Sequence, residues 1–285
     1  MTPRIALVTW SGLPGLSEDD QLLIPEFRRY SAIAIPTVWD DRTIDWGDFA
    51  AVILRSTWDY HRRREEFLAW TQRCARATRL WNLPEAVRWN SHKSYLFSLA
   101  REGVPIVPTE VGRTGESLAA LRARTGWTEL VVKPAVGANA ENAAYVSATE
   151  VPQFEPAYRA GLATRDLLVQ PFLHEVLSPG ERSLVFLEGA YSHAFVKRPA
   201  LPRDLRQGLR VDRAEPSGPE LAIARKAIEC VPSTPLYARV DLVPTERAGP
   251  LLMELELIEP FLGFASDPAS PARLANAVSD RLASP

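Results

Sequence analysis

The sequence contains little cysteine, and this excludes several kinds of site at the outset. Cys74 and Cys230 are the only two cysteines in 285 residues, too few for a disulfide framework or a four-ligand zinc site. We therefore expect both thiols to be small buried hydrophobic side chains in a protein of a reducing cytoplasm.

Long apolar runs and a surplus of one charge are also missing. No run approaches the roughly 18 apolar residues of a membrane span, and the segment Ile5 to Val8 is typical of a strand rather than an export signal. The formal net charge is -2, so no basic surface for nucleic acid is indicated. These features predict a cytoplasmic protein with neither membrane nor nucleic-acid partners.

The residues that are present indicate a globular chain whose first third alternates strands and helices. Hydrophobic residues make up 46% and charged residues 24%, which argues against disorder. Apolar runs predict strands at Ile5 to Val8, Ala32 to Val38 and Phe49 to Leu54. A helix over Asp19 to Tyr30 is predicted between the first two strands, and another over His61 to Arg79 after the third. Such alternation with short loops is typical of a parallel sheet in a small α/β domain.

Beyond about residue 88 the chain is richer in predicted strands, which favours an α+β organisation. Asn90-Ser91 is a candidate cap for a helix that ends at Gly103, and Ser217 is a candidate cap for another. Further helical segments are predicted at residues 117–124, 219–230 and 272–282. Strands are predicted at residues 106–111, 129–133, 167–172, 183–187, 191–196, 236–243 and 251–258.

The strongest chemical signal lies in the last two predicted strands, which a turn at Thr245 to Gly249 joins. Side chains alternate across a strand, so one face of this hairpin is apolar and the other carries three acids and one arginine. Antiparallel pairing about the turn predicts four cross-strand pairs: Arg239 with Glu256, Val240 with Leu255, Asp241 with Glu254, and Leu242 with Met253.

Three carboxylates on one face repel one another unless a cation lies among them. Hard oxygen ligands suit Mg2+, which takes one or two carboxylates together with waters and phosphates. Asp241, Glu254 and Glu256 are therefore candidate metal ligands. A solvated polar face partly neutralised by Arg239 is the alternative, and the hydrophobic residues on both sides of the acid pair favour the metal site.

Two lysines are candidate phosphate ligands. Lys133 ends an apolar run and precedes a loop of small residues, 135–140. Such a loop lets backbone N–H groups approach phosphate oxygens while the lysine supplies positive charge, although the spacing is not that of a Walker A loop. A solvent-facing lysine at a strand end is the alternative for Lys133, and Lys93 is ambiguous in the same way.

Two further segments are candidates for contacts with a ligand. The apolar run 167–173 is interrupted by Pro171, which frees backbone groups for a flat base beside Phe172, although an ordinary edge strand is the alternative. A basic group is predicted to lie in a loop, where it either holds phosphate or carboxylate or is simply solvated: Lys197, Arg198, Arg203, Arg206 and Arg210.

In order and spacing these segments resemble the ATP-grasp superfamily over roughly residues 85 to 265. The resemblance implies an ATP-grasp fold of mixed class, α/β and α+β: a small N-terminal α/β domain (1–88), then a small α+β subdomain or lid (89–165) and a large α+β subdomain with the metal site (166–285), which enclose ATP. The implied ligands are Lys93 and Lys133 for the phosphates, Gln170, Phe172 and Leu173 for the adenine, and Asp241, Glu254 and Glu256 for Mg2+ or Mn2+.

Within the superfamily, four segments are similar to the O-ureido-serine cyclo-ligase branch, which forms cycloserine: residues 55–70, 180–199, 237–243 and 252–260. This resemblance implies a ligase for a small amino-acid-like substrate. ATP would phosphorylate a carboxylate, and a nitrogen of the same molecule would displace phosphate and form an amide-type bond. Arg239 and Lys197 would stabilise the charged intermediates, so that no nucleophilic side chain is needed.

The polar end of the substrate is assigned to residues after the third predicted strand and to one basic residue: Arg55, Ser56, Thr57, Trp58, Tyr60 and Arg198. Loop and packing roles are the alternative for this group. Three other functions stay open, namely an intermolecular amino-acid or peptide ligase, an ATP-binding regulatory protein without turnover, and a metal-dependent phosphohydrolase. A homodimer is also left open.

Overall fold

A computed structural model describes residues 2–198 and 210–283 of the chain. Its first sheet is parallel, in the order β2-β1-β3-β4, as predicted. The strands are β1 (Arg4–Thr9), β2 (Ile33–Val38), β3 (Ala51–Ser56) and β4 (Arg79–Trp81). The first three were predicted, whereas β4 was not, because three residues are too few to show a periodicity.

The second and third sheets are antiparallel. The second, in the order β5-β8-β6-β7, contains β5 (Glu110–Val111), β6 (Leu130–Pro134), β7 (Ala144–Val146) and β8 (Leu167–Pro171). The third, in the order β11-β10-β9-β12-β13, contains β9 (Glu181–Leu187), β10 (Ala190–Arg198), β11 (Arg210–Ala214), β12 (Tyr237–Thr245) and β13 (Gly249–Glu256).

Nine α-helices occur in the part of the chain that the structure describes. They are α1 (Glu18–Gln21), α2 (Leu23–Arg29), α3 (Arg64–Ala77), α4 (Pro84–Asn90), α5 (Tyr95–Arg101), α6 (Leu118–Thr125), α7 (Val151–Leu162), α8 (Gly218–Glu229) and α9 (Ser270–Ala283). Ser217 caps α8 through a capping box with Glu220, which confirms that prediction. No helix within 2–198 and 210–283 combines the length and hydrophobicity of a membrane span.

The first sheet is covered on both faces, as parallel sheets usually are. Ile5 and Leu7 of β1 pack in a cluster with α2, α9 and part of the third sheet. Ala6 and Val8 point the other way and pack in a cluster with Phe67 of α3. The second sheet packs separately against α6 and α7. The first cluster combines residues of the expected first and last domains, and the domain boundaries near residues 88 and 165 stay predictions.

The predicted cap Asn90-Ser91 was wrong. Asn90 is the last residue of α4, and α5 begins after Ser94. The side chain of Asn90 serves the third sheet instead, because it donates to the carbonyl of Leu255 at 2.7 Å and accepts from the N–H of Leu257 at 2.9 Å. An unpaired strand edge is thereby satisfied by an amide side chain.

The register of the carboxylate hairpin was predicted correctly for three of its four pairs. Arg239 pairs with Glu256, Val240 with Leu255, and Asp241 with Glu254. Leu242 pairs with Leu252 rather than Met253, because the register shifts after Asp241. A bulge leaves one residue of a strand unpaired, and Met253 lines a cavity instead of facing a partner on the apolar side.

Arg55 connects the first domain to the third sheet from a fully buried position. Its Nε donates to Asp20 at 2.8 Å and its Nη2 to the carbonyl of Pro260 at 2.6 Å. Its guanidinium lies over the ring of Tyr237, 4.7 Å from the centroid. Ser56 donates to the other oxygen of Asp20 at 2.6 Å. A buried charge of this kind is stable only with such partners.

Asp19 makes the stability of this region depend on pH. Burial, followed by the charge of Asp20, raises the pKa of Asp19 from 3.8 to about 6. A carboxyl whose pKa is raised by folding destabilises the folded state when it ionises. The Asp19→Asn variant should therefore gain, relative to wild type, on the order of 2 kcal/mol of unfolding free energy between pH 4.5 and pH 7.5. Urea unfolding at both pH values measures this difference.

Comparing the two pH values cancels any pH-independent cost of placing an amide at position 19. The control is Asp48→Asn, at an exposed aspartate of the same domain. The difference in unfolding free energy between Asp48→Asn and wild type should change by less than about 0.5 kcal/mol between pH 4.5 and pH 7.5. Parallel pH profiles for wild type and Asp19→Asn would show that Asp19 keeps an ordinary pKa.

Candidate active site

A cavity of about 550 Å3 is lined by all three parts of the fold. The second sheet contributes residues of β6 and β8, the third contributes residues of β9, β10, β12 and β13, and the first domain contributes Trp58 and Tyr60. Ten charged residues line it: Lys93, Lys133, Glu141, Glu181, Lys197, Arg239, Asp241, Glu254, Glu256 and Glu259.

Arg239 and Asp241 form the centre of the charged network. Arg239 Nε donates to Asp241 Oδ1 at 2.9 Å, and its Nη2 donates to Oδ2 at 2.8 Å. Ser183 of β9 donates to Oδ1 at 2.6 Å, and Lys197 of β10 donates to Oδ2 at 3.2 Å. Burial alone would raise the pKa of Asp241, but Arg239 and Lys197 lower it below its ordinary value. Both oxygens of Asp241 are therefore occupied by donors of the chain.

Lys197 lies between two carboxylates. It contacts Glu181 of β9 as well as Asp241. Burial raises the pKa of Glu181 to about 7, although the charge of Lys197 opposes the rise. The structure thus brings Lys197 to the cavity as a strand residue of β10, which corrects the prediction that it lies in a loop.

The two candidate phosphate lysines meet on one carboxylate. Lys133 Nζ donates to Glu254 Oε1 at 3.0 Å, and Lys93 Nζ lies 3.6 Å from the same oxygen. Burial would raise the pKa of Glu254, but Lys93 and Lys133 lower it to about 2. Lys93 also donates to the carbonyl of Gly137 at 2.8 Å. The lysines, 40 positions apart in sequence, thus lie side by side at the base of the 137–143 loop.

Glu254 and Glu256 differ from Asp241 in having one oxygen to which no donor of residues 2–198 or 210–283 is bonded. Glu256 Oε1 accepts from Arg239 Nη2 at 2.5 Å, and no described residue donates to Oε2 of Glu254 or of Glu256. Among the described residues, no group of three acids, histidines or cysteines is arranged to hold a metal ion. The free oxygens nevertheless fit Mg2+, which needs only one or two carboxylates when phosphates supply the rest.

The predicted adenine contacts also line the cavity. Gln170 is buried and donates to Thr109 Oγ1 at 2.8 Å. Phe172 stacks edge-to-face with Tyr145, whose ring centroid is 5.0 Å away, and its N–H donates to the carbonyl of Glu129 at 2.9 Å. Leu173 follows at the cavity wall. The structure thus brings Gln170, Phe172 and Leu173 together, and their role toward adenine stays a prediction.

Glu141 connects the cavity loop to the first domain, a contact that the sequence did not indicate. Its Oε2 accepts from Arg62 at 2.9 Å and lies 3.2 Å from His61 Nε2. Three non-glycine residues of this loop have a left-handed backbone conformation: Asn139, Ala140 and Asn142, with φ of 51°, 52° and 61°. Such backbone persists where surrounding contacts hold it, and the Glu141 contacts do so here.

The predicted substrate residues divide into two groups. Trp58 and Tyr60 line the cavity, whereas Arg55, Ser56 and Thr57 are fully buried and lie outside it. Arg55 and Ser56 are occupied by Asp20, so the prediction that they meet the substrate is not supported by their positions. Arg55 and Ser56 both donate to the buried carboxylate of Asp20, a contact that the sequence alone does not reveal.

The predicted basic group is only partly present at the cavity. Arg198 donates to Asp212 at 2.8 Å and to the carbonyl of Pro179 at 2.8 Å, and it does not line the cavity. Arg210 begins β11 rather than lying in a loop. Arg203 and Arg206 lie outside the described residues.

Three cavity carboxylates were not predicted from the sequence: Glu141, described above, Glu181 and Glu259. Glu181 is the first residue of β9, but the predicted strand begins at Ser183, because the charged residues before it look like an ordinary turn. Glu259 directly follows the carboxylate hairpin and precedes Pro260. The proximity of Glu259 to the acid pair was the available signal, but the strand pattern had already ended there.

Known proteins resemble this chain in sequence and in fold. A family model, the N-terminal domain of D-cycloserine synthetase DcsG, matches residues 5–82. The cycloserine biosynthesis protein DcsG of Streptomyces lavendulae is 33% identical over 294 aligned positions, which cover 98% of each chain. The crystal structure of D-cycloserine synthetase DcsG has a TM-score of 0.87 and 31% identity, covering 98% of this chain and 99% of that one.

A more distant structure shows the same fold. The RimK domain ATP-grasp protein of Sphaerobacter thermophilus DSM 20745 has a TM-score of 0.71 at 18% identity, covering 97% of this chain and 98% of that one. With the relatives above, the fold defines an ATP-dependent carboxylate-amine ligase of the ATP-grasp class, which forms C–N bonds. The chain belongs to the family of D-cycloserine synthetase DcsG, so the predicted fold and ligase class are confirmed.

Replacing Lys133 with methionine should weaken nucleotide binding. The variant keeps a side chain of similar length but removes the charge beside Glu254, so that phosphate oxygens meet one cation fewer and an acid without its closest partner. We expect the dissociation constant of an ATP analogue, measured by calorimetry, to rise about tenfold or more.

The matched control is Lys226→Met on α8. Lys226 donates to the carbonyl of Gly103 at 3.1 Å and does not line the cavity. The dissociation constant of the ATP analogue for Lys226→Met should stay within about twofold of the wild-type value. Equal weakening in both variants, or none in Lys133→Met, would remove Lys133 from the phosphate site.

Proposed function

We propose that this enzyme activates the carboxylate of a small amino-acid-like substrate as an acyl phosphate and closes a ring through a nitrogen of the same molecule. The observation that carries the proposal is the position of Arg239. It is fixed between Asp241 and Glu256 in the cavity in which Lys93 and Lys133 meet on Glu254. Cations held by carboxylates in this way are preorganised for phosphate and acyl-phosphate charge.

Two transfers make up the proposed reaction. A carboxylate oxygen of the substrate attacks the γ-phosphorus of ATP, and ADP leaves. The nitrogen then attacks the acyl carbon and forms the C–N bond, and its proton passes to the phosphate, which leaves with the oxygen that it took from the carboxylate. Lys93 and Lys133 neutralise the phosphate oxygens, and Arg239 stabilises the negative charge of the acyl phosphate and of the tetrahedral intermediate.

Glu254 and Glu256 are the residues that would hold Mg2+ in this site. Glu254 and Glu256 each have one oxygen without a donor from the described residues, and both lie on the cavity face of β13. Mg2+ bound there would neutralise phosphate charge during transfer. Asp241, the third predicted ligand, is better suited to orient Arg239, because hydrogen bonds from Ser183, Lys197 and Arg239 already occupy both of its oxygens.

The choice of substrate is supported by the family. The relative from Streptomyces lavendulae is named for cycloserine biosynthesis and matches this chain over nearly its full length. O-Ureido-serine carries a carboxylate and a nitrogen that can close a five-membered ring within one molecule. Such an intramolecular attack gains the entropic advantage of a tethered nucleophile. A role in antibiotic biosynthesis follows from this substrate.

Isotope transfer tests the acyl phosphate. With O-ureido-serine labelled with 18O in its carboxylate, each turnover should release ADP and place one labelled oxygen in the inorganic phosphate, which mass spectrometry detects. Label in AMP would indicate an acyl adenylate, and unlabelled phosphate would indicate ATP hydrolysis without carboxylate activation. The organic product separates ring closure from intermolecular ligation, because ring closure removes one water from a single substrate.

Two variants distinguish the binding of Mg2+ by Glu256 from the orientation of Arg239 by Asp241. Glu256→Gln should raise the Mg2+ concentration needed for half-maximal ADP release about tenfold, since it replaces an oxygen ligand of Mg2+ with an amide. Asp241→Asn should lower kcat by at least about tenfold while changing that Mg2+ requirement by less than about threefold, because it loosens Arg239. A large change in the Mg2+ requirement of Asp241→Asn would return Asp241 to the metal ligands.

A further inference from the structure

Glu259 differs from every other acid that lines the cavity. Glu181 and Asp241 are paired with Lys197, Glu254 with Lys133, Glu256 with Arg239, and Glu141 with Arg62. For Glu259 no hydrogen bond or ion pair with another described residue is found. Its carboxylate is therefore the cavity acid whose charge the described part of the chain leaves without a cationic partner.

The backbone around Glu259 is held rigidly from both sides. The carbonyl of Ile258 accepts from Tyr237 Oη at 3.0 Å, that of Pro260 accepts from Arg55 at 2.6 Å, and that of Phe261 accepts from Arg239 at 2.9 Å. The residue before Glu259 and the two residues after it are thus fixed by buried side chains. A carboxylate presented on so constrained a segment is preorganised for a ligand rather than free to reorient.

Aromatic rings line the same cavity. Trp58, Tyr60 and Phe261 are part of its wall, and Tyr60 is almost completely buried. Tyr60 and Glu259 line this cavity together, and burial, followed by the negative charge of Glu259, raises the pKa of the Tyr60 phenol. Aromatic rings together with a carboxylate are the combination that attracts an organic cation.

The phosphate end of the cavity differs in chemistry. Lys93, Lys133 and Arg239 gather at Glu254 and Glu256, where negative phosphate and carboxylate groups are stabilised. Glu259 and the rings supply the opposite preference. A substrate with a carboxylate at one end and a positive group beside it matches this division of charge.

We infer that Glu259, with Trp58 and Tyr60, binds the ammonium group of the substrate and so selects α-amino carboxylates over carboxylates without an amino group. This inference rests on the proposed function, because it assigns the cation-binding part of the same site. Burial and the charge of Glu256 hold the pKa of Glu259 above its ordinary range, and an ammonium ion would stabilise its ionised form.

The test compares two substrates in wild type and in Glu259→Gln. O-Ureido-serine is paired with 3-(ureidooxy)propanoate, which has the same carboxylate and nitrogen but lacks the amino group. For Glu259→Gln, kcat/KM for O-ureido-serine should fall about 30-fold or more, while kcat/KM for the analogue should stay within about threefold of wild type. A merely structural role would lower both values equally, and that result would overturn the inference.

Two further variants complete the design. Glu259→Asp keeps the charge and should retain at least about a tenfold preference for the amino substrate. Glu246→Gln changes an exposed glutamate in the turn between β12 and β13 and should behave as wild type with both substrates. If Glu259→Gln preferred O-ureido-serine over the analogue as strongly as wild type does, that result would contradict the inference even if the variant were less stable.

A separate binding measurement distinguishes failure of the inference from failure of the proposed function. If wild type releases no ADP with either compound, the proposed substrate is wrong, and binding of serine and of 3-hydroxypropanoate is measured by calorimetry in the presence of a non-hydrolysable ATP analogue. Tighter binding of serine that is lost in Glu259→Gln would still support the ammonium site. Equal affinity for the two compounds, or no detectable binding of serine, would overturn it.

Discussion

The bidentate ion pair between Arg239 and Asp241 is the interaction on which the rest of the site depends. Two opposite charges on one strand are buried at the centre of the third sheet, and burial is costly unless each charge is fully paired. Ser183, Lys197 and Glu256 supply the remaining partners from three other strands. The pairing therefore fixes both the order of strands β10, β9, β12 and β13 and the direction in which the guanidinium points.

The remaining features of the cavity follow from how this network is enclosed. Asn90 satisfies the outer edge of β13, and Arg55 fixes the segment after it through the carbonyl of Pro260. Glu141 joins the loop above the lysines to the first domain through Arg62. Each contact joins parts of the chain that are distant in sequence, so the first domain, the second sheet and the third sheet together shape one ligand site. An enclosed site of this kind is what the proposed acyl phosphate would require, because water would hydrolyse that intermediate.

Local patterns were predictive wherever a single element determines its own structure. Alternating apolar residues placed most strands, and Ser217 marked the start of α8 through its capping box. Helix α7 was missed because Pro156 lies inside it, and an internal proline normally argues against a helix. Strand β11 was missed because its charged sequence has no apolar alternation, and its pairing with β10 alone makes it a strand. In both elements tertiary contacts outweigh local propensity.

The sequence by itself determined the hairpin register from Arg239 to Asp241, the acids and arginine that share its cavity face, and the ATP-grasp class, because side-chain alternation and motif order can be read directly from the sequence. Only the tertiary structure decided what those groups do. Arg55 looked like a substrate ligand and is instead paired with Asp20 and with a carbonyl 205 positions away. Asp241 looked like a metal ligand and has both oxygens occupied by the chain, whereas Glu259 was assigned no role and lines the cavity without a hydrogen-bond or ion-pair partner among the described residues. The physical reason is that the role of a charge depends on its burial and on its partners, and those partners come from distant parts of the chain.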